Sequence, residues 1–239
     1  MGIAKRSSHQ PTMPLPDLSA LFYFKGLPPA ALERVMATAH SHRYQAGAMI
    51  FNEGTKCAGF HILQEGMVRV YRLGQEGRLH TLNLLRPPST FNEVSALDGA
   101  PNPFNATAVT EVTVWVIRRD PLLQLMGEHP VLLKNYVQAL AQMNREYLER
   151  LEDMTFRTIP ARLAKLFLHE SPYALTEAPT RLSQEEIAAI LGTTREVVGR
   201  ALRGMMNDGL LRKEGRAIYI QDRLGLEHLA HHASFETEP

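Results

Sequence analysis

Between about Leu18 and Asp120 the apolar residues come in short runs cut by glycine, the spacing of strands rather than of long helices. One short helix, near Pro28–His40, precedes them. Gly47 to Phe51 is a first run and Gly59 to Leu63 a second, after which Gln64-Glu65-Gly66 turns into a third from Met67 to Arg72. In that third run Val68 and Val70 face inward while Arg69 and Tyr71 face out, the period of two that a strand imposes. A turn at Gly74–Gly77 leads to Leu79–Leu85, and Val112–Ile117 closes the region. Such even spacing predicts an antiparallel sandwich or barrel.

At Asp120 the period changes. Asp at the N-cap and Pro121 at the first helical position announce a short helix, and a longer one follows from Pro130. Its apolar seam is Leu133, Val137, Leu140, Asn144, Tyr147, Leu151 and Met154, a 4-3 spacing held for three heptads. A helix resting only on its own domain carries a broader stripe, so the narrow seam predicts pairing with a second copy, with Asn144 fixing the register.

Past Thr158, a plausible N-cap with Pro160 in the first turn, the helices shorten. Ser183 and Glu186 form a capping box ahead of Ile187, Ala188, Ile190 and Leu191, and Gly192 ends that helix. Thr193 or Thr194 caps the next one, whose inner face is Val197 or Val198, Ala201, Leu202 and Met205. Arg195, Glu196 and Arg200 lie off that stripe. Arg offers guanine a two-pronged donor and Glu accepts from the cytosine amine, so the exposed face carries a major-groove vocabulary. Leu210 to Ile220 reads as a hairpin with Arg212, Lys213 and Arg216 around its tip, a wing placed against phosphates. Ser183 and Thr194, at the two helix starts, join the predicted DNA-contacting set.

Composition sharpens this picture. The 239 residues carry a net charge of +1, yet residues 195–216 hold six basic side chains (Arg195, Arg200, Arg203, Arg212, Lys213, Arg216) against three acidic ones (Glu196, Asp208, Glu214). Positive charge so localised suits a specific binder of double-stranded DNA better than a general coat. The single cysteine, Cys57, excludes an internal disulfide and any four-cysteine cluster within one chain. There is no secretory signal and no run near the roughly 18 apolar residues of a membrane span, so the expected compartment is the cytoplasm, without membrane contact.

The order of these parts resembles the Crp–Fnr family of bacterial transcription regulators, over residues from about 18 to 227. The sharpest match is Arg195-Glu196-Val-Val-Gly199-Arg200, which is similar to that family's recognition-helix motif Arg-Glu-x-x-Gly-Arg. The resemblance implies an α+β fold: a flexible arm at 1–17, an antiparallel, cyclic-nucleotide-binding-like β-roll at 18–129, a dimerisation helix at 130–156 and a winged helix–turn–helix at 157–239. It implies a homodimer that is not an enzyme, with RNA polymerase as a further partner. In the cyclic-AMP receptor type, the motif's Arg, Glu and Arg read a TGTGA half-site; in the Fnr type the first Arg is missing. Arg195 therefore points to the TGTGA type.

The sensor half departs from the cyclic-AMP receptor type. That type has Gly-Glu opening a short helix and Arg-Ser about ten residues on, which clamp the cyclic phosphate. Here Asn92 stands before Glu93, and Asn102-Pro-Phe104-Asn105-Ala106 has no arginine. The adenine-contacting Thr-Ser pair falls at Tyr147-Leu148. Burying an unpaired anion is prohibitive, so cyclic AMP is not the expected effector. The pocket bordered by Glu93, Phe104, Asn105, Tyr147 and Leu148 is filled or takes something else, and Glu93 caps a turn. A haem-bound gas sensor, using His40, His42, His61 or His80, is the alternative within the family; otherwise no cofactor and no metal is expected. From another class, His40-Ser-His42 would suit a metal-dependent β-roll enzyme, but the Glu such a site needs is absent. No catalytic set is visible.

Overall fold

The computed structural model describes residues 16–75, 77, 79–168, 182–215 and 217–232, the side chain of His232 excepted. The predicted arm falls largely outside them, and so does Arg216.

Two turns of 3-10 helix, Leu18–Ala20 and Phe22–Phe24, lead to α1 (Pro29–Met36). Helix α1 ends four residues sooner than the sequence suggests, because His40 already belongs to a strand. Eight strands follow: β1 (His40–Tyr44), β2 (Met49–Phe51), β3 (Phe60–Glu65), β4 (Val68–Leu73), β5 (Leu79–Leu85), β6 (Ser89–Phe91), β7 (Asn105–Ala108) and β8 (Val112–Ile117). A short helix, α2 (Glu93–Asp98), lies between β6 and β7. The strands form two antiparallel sheets, ordered β1-β8-β3-β6 and β2-β7-β4-β5. Their facing sides bury Leu63, Val68, Val70, Phe91, Val112 and Val114. Tyr71 departs from the predicted alternation and is buried. A bulge between Val70 and Tyr71 in the pairing with β5 breaks the period of two, and Thr107 Oγ1 donates to the Tyr71 hydroxyl at 3.5 Å.

Helix α3 (Arg119–Glu128) begins after Arg118 rather than at Asp120. Pro121 thus sits third in the helix, where its missing N–H is still one of the first-turn orphans. Helix α4 (Pro130–Phe156) has two apolar faces. Leu132 and Tyr136 are fully buried against Tyr23, Phe60 and the roll. On the same face, Asn135 Nδ2 donates to the carbonyls of Tyr23 at 3.0 Å and Lys25 at 2.8 Å, pinning the N-terminal turns. The heptad seam is the other face. Val137 is 58% exposed and Leu151 61%, and Leu133, Asn144, Tyr147 and Met154 are also exposed, with Leu140 half-buried.

The C-terminal unit comprises α5 (Ile159–Phe167), α6 (Gln184–Leu191), α7 (Arg195–Asn207), the hairpin β9 (Leu211–Glu214) and β10 (Ala217–Ile220), and α8 (Arg223–His232). Its core is Leu163, Phe167, Ile187, Leu191, Val198, Leu202, Leu211 and Leu226. The chain is therefore an antiparallel β-roll, a long helix and a winged helix–turn–helix in sequence.

Candidate DNA-binding surface and sensor pocket

The turn between α6 and α7 is built from local chemistry. Ser183 Oγ accepts from the Glu186 N–H at 3.2 Å, and the Glu186 carboxylate accepts from the Ser183 N–H at 2.8 Å. Gly192 ends α6 in the left-handed region, with φ +64°, where a side chain is strained. Thr194, not Thr193, is the cap of α7, accepting from the Val197 N–H at 3.4 Å. Of the two candidate valines, Val198 is the fully buried one.

These caps set the phase of α7, and with it the outward face. Arg195, Glu196 and Arg200 are all exposed. Arg195 Nη1 lies 3.0 Å from Glu185 Oε1, a surface ion pair that costs little to exchange for another acceptor. The Glu196 carboxyl is held below the usual range, first by a backbone N–H at the helix start and then by the Thr194 hydroxyl. Gln184 and Arg203, which the sequence reading leaves out of the site, complete a concave surface around Gly199 with these three residues. Arg203 was readable, being three residues past Arg200. Gln184 was not, since it reaches the surface from α6.

On the wing, Arg212 stacks 4.6 Å over the Tyr219 ring and pairs with Glu214, while Lys213 is exposed. Arg216 lies outside the described residues.

The sensor cavity, about 200 Å³, lies between the roll and α4. Glu93, Phe104 and Tyr147 line it. Asn105 and Leu148 are not among its lining residues. Asn105 Oδ1 accepts from the Glu53 N–H at 3.1 Å, and Leu148 is exposed. Glu93 is buried in the first turn of α2 and accepts from Thr90 Oγ1 at 2.6 Å; burial pushes its carboxyl up, against the hydrogen bonds. Tyr23, Met143, Glu146 and Arg150 also line the cavity and have no signal in the sequence pattern. Arg150 is the only cation among the described lining residues, and it is engaged. Its Nη1 donates to the Leu82 carbonyl at 3.0 Å and its guanidinium lies 5.5 Å from the Tyr147 ring centroid.

Around the start of α2, where the sequence lacks Gly and Arg, an amide network closes the backbone. Asn92 adopts a left-handed conformation, φ +66°. Its Nδ2 donates to Asn102 Oδ1 at 2.8 Å and approaches Cys57 Sγ at 3.3 Å. Asn102 Nδ2 in turn donates to Thr55 Oγ1 at 3.0 Å and the Asn52 carbonyl at 3.3 Å. This network is neutral, and offers no charge to an anion.

The histidines are dispersed. His61 is buried against Phe51 and Phe91, His80 meets α6, and His40 and His42 are exposed on β1. No group of three or more His, Cys, Asp or Glu poised for a metal occurs among the described residues.

A family model described as the cyclic nucleotide-binding domain matches residues 41–129, and one described as the Crp-like helix-turn-helix domain matches residues 161–229. A CRP-like cAMP-activated global transcriptional regulator of Mycobacterium tuberculosis is 30% identical over 205 residues, covering 83% of this chain and 92% of the relative. The chain belongs to the Crp–Fnr family. Another relative of this Crp–Fnr regulator is the cyclic AMP receptor protein of Thermus thermophilus, 28% identical over 87% of this chain and 95% of that one. Among solved structures, a CRP/FNR-family transcriptional regulator from Thermus thermophilus matches with TM-score 0.65 and 28% identity, over 80% of this chain and 98% of its own. A crp/fnr-family structure from Eubacterium rectale, at 22% identity and TM-score 0.71, shares the fold over 87% of this chain and 98% of its own. As a Crp-like transcription regulator, the protein carries its DNA-binding function in the helix–turn–helix. Among the described residues, no helix is long and apolar enough to cross a membrane.

Proposed function

We propose that this regulator is a homodimer that reads a TGTGA-like palindrome without needing cyclic AMP. The observation that carries the DNA reading is the exposed trio Arg195, Glu196 and Arg200 on the first two turns of α7, held in phase by the Thr194 cap and the Gly192 turn. Arg195 and Arg200 supply paired donors for guanine, and Glu196 an acceptor for the cytosine amine. Ser183, Thr194, Arg212, Lys213 and Arg216 contact the backbone, and the last three set the salt dependence.

The homodimer rests on the seam of α4. Its apolar residues lie in water in one protomer while the opposite face is already satisfied by the roll. Pairing along 130–156 buries them and places two α7 helices about one turn of DNA, roughly 34 Å, apart.

The relatives from Mycobacterium tuberculosis and Thermus thermophilus carry cyclic AMP in their names. This chain keeps Glu93, but its Asn102–Ala106 segment brings apolar Phe104 and no arginine to the cavity, and Arg150 there is held by the Leu82 carbonyl and the Tyr147 ring. Activity without that ligand follows from the desolvation cost of an unpaired anion. The setting is the cytoplasm, with RNA polymerase as the further partner.

A mobility-shift titration of a TGTGA palindrome, with and without cyclic AMP, tests this reading. Tight binding to the palindrome over scrambled DNA in both conditions supports it. Failure to discriminate the palindrome, or binding only with the nucleotide, overturns it.

A further inference from the structure

A second cavity, about 270 Å³, adjoins the sensor pocket, sharing Leu82, Tyr147 and Arg150 with it, where four elements meet: β5, the end of α4, α5 and α6. Leu82, Leu151, Met154, Ile190 and Leu191 make its walls apolar. Its polar groups are sharply biased in sign. Among the described lining residues, Arg162 and Lys165 border it with His80 and the engaged Arg150 shared with the sensor pocket, against the single carboxylate of Asp153; Arg162 also donates to the Leu191 carbonyl. That carboxylate is already bridged on both sides, by Arg157 Nε at 2.7 Å and Lys165 Nζ at 2.6 Å. The local field is therefore positive, and Lys165 and Asp153 are largely shielded from water, so the field is not well screened. Burial first, and then Arg162 and Arg150, hold the His80 imidazole below its ordinary pKa.

We propose that this junction binds a small amphiphilic carboxylate, its chain among the leucines and its head toward Lys165 and Arg162. At about 30 Å³ for each water-sized group, 270 Å³ takes about nine such groups, the size of an eight-carbon acid. An apolar chain is favoured by the walls; a protonated amine of equal length meets like charge. Bound here, the ligand touches the sensor sheet, the long helix and the DNA-binding unit at once. It therefore favours the docked arrangement to the extent that it binds that arrangement better than an opened one.

Two methionines report on the two cavities: Met154 on this one and Met143 on the sensor pocket. Full-length protein labelled with methyl-13C methionine is titrated with octanoate, octanol and octylamine and followed by NMR. Octanoate shifts the Met154 methyl in a saturable way, leaves Met143 in place, and binds about tenfold or more tightly than octylamine. Lys165→Gln and Arg162→Gln each weaken octanoate about tenfold and leave octanol unchanged. A Met154 methyl that does not move up to about 10 mM octanoate overturns the proposal, whether the cavity is then closed or filled by a partner protomer. So does equal binding of acid and amine, or a response confined to Met143. The ligand series on the unaltered protein decides the matter even if a variant fails to fold.

Discussion

Alanine at Glu196 and alanine at Arg212 should cause two different kinds of loss. Glu196 is exposed in the first turn of α7, and its carboxyl is kept ionised by a backbone N–H and the Thr194 hydroxyl. Facing a base edge, it accepts one cytosine amine, and losing that acceptor should cut discrimination at one base pair by about 1–3 kcal/mol, or about 5- to 150-fold. Arg212 sits on the exposed wing, held by Glu214 and the Tyr219 ring. Facing phosphate, it releases about one counterion, which changes the slope of log affinity against log salt by about 0.9. From 50 to 200 mM salt the unaltered protein should then lose about 3.5-fold more affinity than Arg212→Ala, on every sequence alike. Fluorescence anisotropy with a labelled palindrome and its single-base-pair variants, at both salt concentrations, separates the two effects. If Glu196→Ala weakens all duplexes equally, α7 is not the helix in the groove, and if Arg212→Ala leaves the slope untouched, the wing is not on phosphate.

Glutamate at both Leu140 and Leu151 should give monomers in sedimentation that no longer bind a palindrome; persisting dimers would show that α4 is not the interface. Titrating cyclic AMP against a labelled operator should change affinity by less than tenfold, and a rise of tenfold or more, about 1.4 kcal/mol of coupling, would refute the reading of the sensor pocket. Burial pushes the His61 imidazole down to about 4 from 6.5, so the unfolded chain takes up the proton first as pH falls. The stability tied to His61 is complete above pH 6.5 and falls by about 3 kcal/mol toward pH 4, and His61→Phe, between Phe51 and Phe91, should flatten that part in denaturant melts; an unchanged pH profile would contradict it. The buried Tyr136 hydroxyl has no hydrogen-bond partner among the described residues, so Tyr136→Phe should be neutral or stabilising by about 1 kcal/mol, and a marked loss in Tm would reveal a bond there.

What the sequence made legible was what neighbouring residues decide among themselves. The Ser183 capping box, the Gly192 turn and the Thr158 cap each lie within a few residues, and each appears where the local pattern puts it. Strand β7 was not legible: Asn105-Ala-Thr-Ala108 has weak strand propensity and is a strand because β2 and β4 flank it. Asn135 was hidden for a similar reason. It reads as a solvated position, yet it is buried by two carbonyl partners more than 100 residues away. Within the sensor pocket, Glu93 and Phe104 came from comparison with a motif, whereas Tyr23 and Arg150 arrive through packing between distant segments. No single-sequence pattern encodes that.

The junction between the halves joins the two kinds of information. Glu186 closes the capping box through one carboxylate oxygen and reaches Arg69 on β4 through the other, at 3.4 Å. The helix that begins the DNA-binding motif is thus referenced to the sensor sheet by the same side chain that starts it. His80 adds a contact to the Ala189 carbonyl at 3.2 Å, and Leu84 packs on the C-terminal core. At the hinge, Asp153 ties the end of α4 to Arg157 and to Lys165 on α5. The grips differ in strength. The Arg69–Glu186 pair is long and partly exposed, worth about 1 kcal/mol or less, whereas Asp153 has two short, charge-assisted partners. Swinging the DNA-binding unit away from the sheet would break the contacts at β4 and β5, leaving the Asp153 pairs as the strongest polar tie between α4 and α5. A pivot at Arg157–Thr158, where α4 ends and α5 is freshly capped, would turn the unit about that staple.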